Sequence, residues 1–356
     1  MEKINYQRAR SRAVKVGNIQ IGNGAPISIQ SMTKTKTEDI DATVEQIRQL
    51  TMAGCDIIRC AIPDEKAAVA LKEIIPQVSI PVVADIHFNY RLALQAIESG
   101  AHKIRFNPGN IGQRKRVETI LAACRERHIP IRIGVNSGSL EPALLKRYGH
   151  PTATALVESA LSHIKICEDF RFYELVISLK SSNVMMMIEA YRRLATMVDY
   201  PLHLGVTEAG PVWSGTIRSA IGIGTLLAEG IGDTIRVSLT GEPQEEVRAA
   251  KEILKSLGLR KGGITLVSCP TCGRLDTPEL TKIVQELEQR VHSIEKDLTV
   301  AVMGCAVNGP GEAREADLGV ACGKNEALLI RRGEVVGKIP SDLIVDRLYE
   351  EILDFE

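Results

Sequence analysis

A chain of 356 residues exceeds one average domain and fits one large domain followed by a smaller one. Its 44% hydrophobic and 25% charged residues are ordinary globular values that exclude wholesale disorder and a fibrous fold. The 44 basic and 44 acidic residues cancel, which removes the long-range field of a general nucleic-acid binder, so any anion site must be a local concentration of charge.

Residues 1–12 carry Lys3, Arg8, Arg10 and Arg12 with no apolar segment behind them, and no apolar run approaches membrane-spanning length; a cytoplasmic protein is expected. From about residue 26 to 250 one unit recurs: a short β-rich run, polar residues at its end, then a helical stretch. The runs are 27–32, 57–62, 81–87, 102–107, 130–136, 174–180, 201–207 and 234–239. Helical periodicity fills the intervals, as at 44–53, 65–75, 90–98, 114–127, 154–169 and 184–196, and again at 245–257. Eight such units predict an α/β fold, a (β/α)8 TIM-type barrel over residues 1–260. The patterns at Gly22–Gly24 and Gly222–Gly224 lack the third glycine and the strand-then-helix setting of a dinucleotide site, which argues against an open Rossmann sheet. Lys261, Gly262 and Gly263 read as a linker. Beyond it, over 264–356, strands at 264–267, 298–303, 318–321 and 327–331 and helices at 278–292 and 341–353 predict a small α+β domain.

Strand side chains alternate between faces, so parity separates helix-facing from barrel-interior positions. Ile104 and Phe106 share the apolar face, which leaves Lys103, Arg105 and Asn107 inside. The same parity places Asp85, His87, Arg132, Asn136, Ser178, Lys180, Arg236 and Ser238 inside, and Arg59 ends another strand. One such cation is readily a rim residue whose charge reaches solvent. Charged residues on six strands together predict a pocket at the C-terminal face for a multiply charged anion, phosphate or diphosphate. Glu208, just past the seventh run, is a candidate proton donor. Its parity is that of the helix-facing set, so it reaches the pocket only if the chain turns after Thr207. His203, interior by parity, is expected to be a hydrogen-bonded core residue.

Eight cysteines in a chain without a secretory signal point to buried thiols and metal ligands rather than disulfides. Cys269 and Cys272 form a CxxC behind one strand, and Cys305 follows another in a Gly/Pro-rich loop. Three such thiols on two strand-end loops suit zinc or an iron–sulfur cluster. The fourth ligand is Cys322 or Glu312; Glu312 shares the loop of Cys305 and is favoured on that ground. Cys55, Cys60, Cys124 and Cys167 read as small core residues of the barrel.

At these residues the chain resembles the bacterial two-domain form of the 4-hydroxy-3-methylbut-2-enyl diphosphate synthase family of the non-mevalonate isoprenoid pathway. The most specific segments are SCPTCGR at 268–274, GCAVNGPGEA at 304–313, KIRFNPGN at 103–110 and IRIGVNSGS at 131–139. The resemblance implies a [4Fe-4S] cluster on Cys269, Cys272, Cys305 and Glu312. It also implies reductive ring opening and dehydroxylation of 2-C-methyl-D-erythritol 2,4-cyclodiphosphate, with two electrons delivered singly by flavodoxin or ferredoxin. Carried over by position, Arg59, Arg105, Arg132, Asn136, Lys180, Arg236 and Ser238 bind diphosphate and Asp85 and His87 line the site. Glu208 acts as acid–base and Asn308 sits beside the cluster. A homodimer with an active site shared between subunits is implied as well. Two other classes are weighed against this. One is a structural zinc site on an RNA-binding module, disfavoured by zero net charge and 4% aromatic residues. The other is a lyase or aldolase with Lys180 as Schiff-base nucleophile.

Overall fold

The computed structural model of the chain describes residues 10–292, 294–305 and 309–356. It divides into two compact units, Met1–Arg260 and Lys261–Glu356.

The first unit opens with a hairpin, β1 (Val14–Val16) and β2 (Ile19–Ile21), between the basic stretch of residues 1–12 and the first expected run, where the sequence suggests no element. Eight parallel strands follow: β3 (Ser28–Met32), β4 (Ile57–Ala61), β5 (Val82–Asp85), β6 (Lys103–Arg105), β7 (Ile131–Asn136), β8 (Leu175–Lys180), β9 (His203–Leu204) and β10 (Thr234–Ile235). Their order, β8-β7-β6-β5-β4-β3-β10-β9, is that of a nearly closed (β/α)8 barrel. The last seam, between β8 and β9, is joined by the parallel bridge of Ile177 with Leu202. There the Tyr191 hydroxyl also accepts a hydrogen bond from the Leu179 amide at 2.9 Å and donates to the His203 carbonyl. The runs expected at 102–107, 201–207 and 234–239 are strands only over 103–105, 203–204 and 234–235.

The helices are α1 (Ile40–Met52), α2 (Glu65–Ile74), α3 (Tyr90–Glu98), α4 (Pro108–Ile111), α5 (Arg114–Glu126), α6 (Pro142–Tyr148), α7 (Ala153–Asp169), α8 (Val184–Ala195), α9 (Val212–Ala228) and α10 (Pro243–Ser256). Short polar side chains start several of them: Asp39, Asp64, Thr152 and Asn183 each accept a backbone N–H of the first turn. Proline occupies the start of α4, α6 and α10, where its missing N–H costs nothing. The apolar strand faces, Ile58, Cys60, Ile104, Ile133, Ile177 and Leu204 among them, pack against the helices in one core. Below the barrel, Val16 and Ile21 of the hairpin pack on Ile57 and Val83 and close its lower end with apolar side chains.

In the second unit β11 (Ile264–Ser268), β12 (Leu298–Met303) and β13 (Leu318–Cys322) are parallel neighbours, and β14 (Glu326–Arg331) and β15 (Glu334–Pro340) add antiparallel strands. Helices α11 (Leu280–Val291), α12 (Gly309–Glu315) and α13 (Ile344–Leu353) complete it. Strand β15 was not foreseen. Its Val335 and Val336 are exposed and Gly337 interrupts its pattern, whereas Arg332 and Gly333, at φ of +50° and +87°, make the tight hairpin turn before it.

Candidate active site

Parallel pairing staggers the strands, so inward residues of alternate strands fall into levels. From the register, the lowest level holds Ile57, Lys103, Val176 and Thr234, and the next holds Gln30, Val83, Arg132 and His203. Above them come Arg59, Arg105, Ser178 and Arg236, then Met32, Asp85, Gly134 and Gly205. The pair of glycines in the fourth level is what opens the barrel. A Cβ on Gly134 would stand 2.8 Å from Arg105 Nε, and one on Gly205 would stand 3.1 Å from Lys180 Nζ and 2.5 Å from the Arg236 carbonyl oxygen. Removing side chains there makes room for long cationic ones.

The resulting cavity, about 120 Å³, is lined by Arg59, Arg105, Arg132, Lys180 and Arg236, with Asp85, His87 and Asn136. These are eight of the positions expected from the sequence. Thr207, Ser178 and the Gly134–Val135 backbone also line it. Ser238 is half-buried, and neither it nor Glu208 is part of the lining. Asn308 lies outside the described residues. Asn107, interior by parity, is spent on the barrel wall: its amide donates to the Gly134 carbonyl and accepts the Gly134 N–H, both at 2.8 Å.

Five cations therefore face one carboxylate. Asp85 Oδ1 lies 3.2 Å from Arg105 Nη1, and Asp85 Oδ2 lies 3.7 Å from Arg59 Nε and 3.8 Å from His87 Nε2. Burial alone would raise the Asp85 carboxyl, but Arg59, Arg105, Arg132 and His87 outweigh it and hold it at about 2. Arg236 is oriented from outside the lining by Glu246 on α10. This buried carboxylate takes its Nη2 at 3.3 Å on both oxygens and also accepts the Leu239 N–H at 3.0 Å and the Ser31 hydroxyl at 3.2 Å. Sequence reading missed Glu246, because a carboxylate in the first turn of a helix ordinarily serves the helix dipole, as Glu245 beside it does. Arg132 and Lys180 have no carboxylate partner among the described ion pairs. Burial, then repulsion from the neighbouring arginines, pushes both well below their ordinary ranges. A cluster of this sign, buried and uncompensated, is stabilised by a polyanion that supplies the missing charge.

The chain does turn after Thr207. Glu208 adopts a left-handed φ of +51°, a conformation with an energetic cost for a residue with a Cβ, and its side chain is exposed at the rim. His203 is buried as expected, yet neither ring nitrogen has a hydrogen-bond partner among the described residues, which corrects the hydrogen-bonded core role.

In the second unit the cysteines sort by exposure. Cys55, Cys60, Cys124, Cys167 and Cys322 are buried, whereas Cys269 and Cys305 are half-buried and Cys272 is exposed. Burial pushes the Cys60 thiol up to about 12 and the Cys322 thiol up to about 11, while backbone and side-chain hydrogen bonds with Arg274 lower that of Cys272. Pairing of Ser268 with Val302 sets the loops of Cys269 and Cys305 side by side at the ends of adjacent parallel strands, and the Gly304 N–H donates to Cys269 Sγ at 3.3 Å. A side chain at Gly304 would strike Leu275 and Leu280 at 2.4 and 2.7 Å, so this close approach requires glycine. Glu312 is in the first turn of α12, which begins four residues after Cys305. Among the described residues no three His, Cys, Asp or Glu side chains already stand as a metal cage. Thiolates repel one another until a cation gathers them, so the relevant fit is in the donors: three accessible sulfurs on two neighbouring strand-end loops and a carboxylate on the helix behind one of them.

No helix among the described residues is long and apolar enough to cross a membrane. Residues 11–251 match the GcpE TIM-barrel domain, and residues 265–354 match the GcpE protein C-terminal domain. The chain is 59% identical over 345 residues to a protein of Clostridium perfringens named 4-hydroxy-3-methylbut-2-en-1-yl diphosphate synthase (flavodoxin), covering 97% of this chain and 99% of the relative. Proteins of the same name from Clostridium acetobutylicum and Geobacter sulfurreducens are each 57% identical, covering 97% of this chain and 99% and 98% of theirs. With both domains matched in order and relatives of this identity along nearly the whole length, the chain belongs to the GcpE family.

Proposed function

We propose that the chain opens 2-C-methyl-D-erythritol 2,4-cyclodiphosphate reductively and removes a hydroxyl as water, giving 4-hydroxy-3-methylbut-2-enyl diphosphate. Two electrons come singly from flavodoxin or ferredoxin through a [4Fe-4S] cluster on Cys269, Cys272, Cys305 and Glu312. The observation that carries this reading is the barrel cavity with five cations against one carboxylate, in a chain whose relatives are named for a diphosphate product. A bound cluster supplies electrons one at a time at a Lewis-acidic iron.

The chain's own residues supply the rest. Arg105 and Arg59, braced by Asp85, present guanidinium forks to phosphate oxygens, and Arg236 does so from its seat on Glu246. Lys180 and Arg132 add charge, and Asn136 and Ser238 add hydrogen bonds. His87 and Asp85 flank the anion, Asn308 belongs beside the cluster, and Glu208 holds the proton that leaves with the hydroxyl. A diphosphate fixed this way cannot rotate, which leaves the reacting carbons in one orientation. The reading includes a cytoplasmic homodimer with a shared active site. Trp213, Ile217 and Ile221, 81%, 43% and 52% exposed and spaced four apart on α9, support the dimer as an apolar stripe for a second copy. A zinc RNA-binding module and a Schiff-base lyase on Lys180 have no counterpart in the names of the relatives.

Calorimetry of the cyclic diphosphate with anaerobically purified, iron- and sulfide-quantified protein tests the reading. Stoichiometric binding to protein containing both elements is expected. Zinc without sulfide, or no binding, overturns it.

A further inference from the structure

The barrel interior beneath the cavity departs from the aliphatic filling usual for this fold. Lys103 belongs to the lowest level with Ile57, Val176 and Thr234, one level under Gln30, Arg132 and His203. Lys103 is fully buried, and its Nζ has no hydrogen-bond partner among the described residues; the same holds for both ring nitrogens of His203 and for Nε and Nη1 of Arg132. The apolar hairpin contact closes the end below.

Every element packed around Lys103 faces it with cations or neutral groups, save one. Arg132 on β7 and Arg59 on β4 repel it, His203 stands on β9, and Arg105 lies two residues on along β6. Arg236 and Lys180 are higher in the barrel, past β10 and at the end of β8. Among the described residues lining the cavity the one carboxylate, Asp85 on β5, is taken by Arg59 and Arg105, and Glu246 is taken by Arg236. His102, the preceding residue, points away and accepts the Val82 N–H. Burial, followed by repulsion from Arg132 and Arg59, holds the Lys103 amine well below the ordinary lysine range. A multiply charged anion in the cavity reverses the sign of that field.

We propose that Lys103 is a positioning residue for the diphosphate, neutral before substrate binds and protonated when the anion enters the cavity above it, so that binding takes up a proton. The proton leaves a buffer acid or hydronium, whose bond to it breaks, and forms one N–H bond with the lone pair of Nζ; no covalent bond of the substrate changes. The proposal rests on the diphosphate reading of the cavity.

The test is isothermal titration of inorganic pyrophosphate, and separately of the cyclic diphosphate, into the full chain at about pH 8 in two buffers of different ionisation enthalpy, comparing the native protein with Lys103→Met. The native protein is expected to take up about one proton more per bound anion than the variant, whose affinity falls about tenfold with the loss of one charge beneath the cavity. Without ligand, the variant melts about 2–4 °C higher, because methionine removes an unpartnered amine. Equal proton uptake by the two proteins overturns the proposal, whatever the melting temperature does, since a packing role alone moves only stability. Failure of both anions to bind native protein overturns the cavity reading instead. Should the variant not fold, lysine ε-carbon resonances of the native protein decide. The Lys103 resonance is expected to move from the neutral-amine to the ammonium position on adding pyrophosphate, and a Lys103 resonance that does not move overturns the proposal.

Discussion

Replacing Asp85 with asparagine isolates the electrostatics of the cavity. The carboxylate is 5% exposed, 3.2 Å from Arg105 and 3.7 Å from Arg59, and its fall from an ordinary 3.8 to about 2 corresponds to about 2 kcal/mol of native-state stabilisation at neutral pH. Asparagine keeps the shape and loses the charge, so the melting midpoint of the barrel should drop by about 4–8 °C. The sign of the pH dependence follows. A carboxyl depressed in the folded state contributes stability that is fully present above its unfolded value near 3.8 and is lost as pH falls toward about 2. The gap between native and variant melting curves should be constant above about pH 5 and begin to narrow below pH 4, to roughly half at pH 3. Saturating pyrophosphate should narrow the gap at neutral pH, because the anion supplies the counter-charge that Asp85 supplied. Differential scanning calorimetry from pH 3 to 8, with and without pyrophosphate, measures all three. A variant that melts with the native protein at neutral pH, or a gap that does not respond to pH, refutes the reasoning.

Other perturbations follow from the same geometry. Glu246→Gln keeps one oxygen to accept the Leu239 N–H and turns an amide N–H2 toward Ser31, whose hydroxyl then accepts, but it loosens Arg236, so KM for the cyclic diphosphate should rise about tenfold with kcat nearly unchanged in steady-state kinetics; a fall confined to kcat would contradict this. Glu312→Ala should lower bound iron and turnover more than Cys322→Ser, because Cys322 is a buried thiol held in its protonated form; the reverse ranking by iron assay would reassign the ligand. Trp213→Asp should shift the sedimentation coefficient from dimer to monomer by placing a charge in the apolar stripe of α9, and an unchanged coefficient would move the interface elsewhere.

The cavity was legible because a buried cation cannot hide in a strand pattern. Arg105 between Ile104 and Phe106, and Arg132 between Ile131 and Ile133, alternate with aliphatic residues that must face helices, and their side is fixed by period alone. What makes room for them was not legible, since Gly134 and Gly205 matter only through the level they share across the barrel, a relation set by stagger rather than by neighbours in sequence. Glu246 was hidden for the same reason: it is ten residues from Arg236 and reaches it only once α10 lies against the strand. The hairpin of β1 and β2 has strands of three residues each, too short for alternation to stand out. Glu208 was half-read. The turn after Thr207 is present, but a turn alone does not say where the carboxylate points.

The central proposal is that the cationic barrel cavity grips one cyclic diphosphate and that electrons reach it through a cluster on Cys269, Cys272, Cys305 and Glu312. Anaerobic turnover of 2-C-methyl-D-erythritol 2,4-cyclodiphosphate with a chemical reductant, on protein of known iron and sulfide content, tests it directly. Reductant-dependent formation of 4-hydroxy-3-methylbut-2-enyl diphosphate, in proportion to cluster content and abolished in Arg105→Ala, is the predicted result. Product formed without reductant, or no product from protein carrying a full cluster, would contradict it.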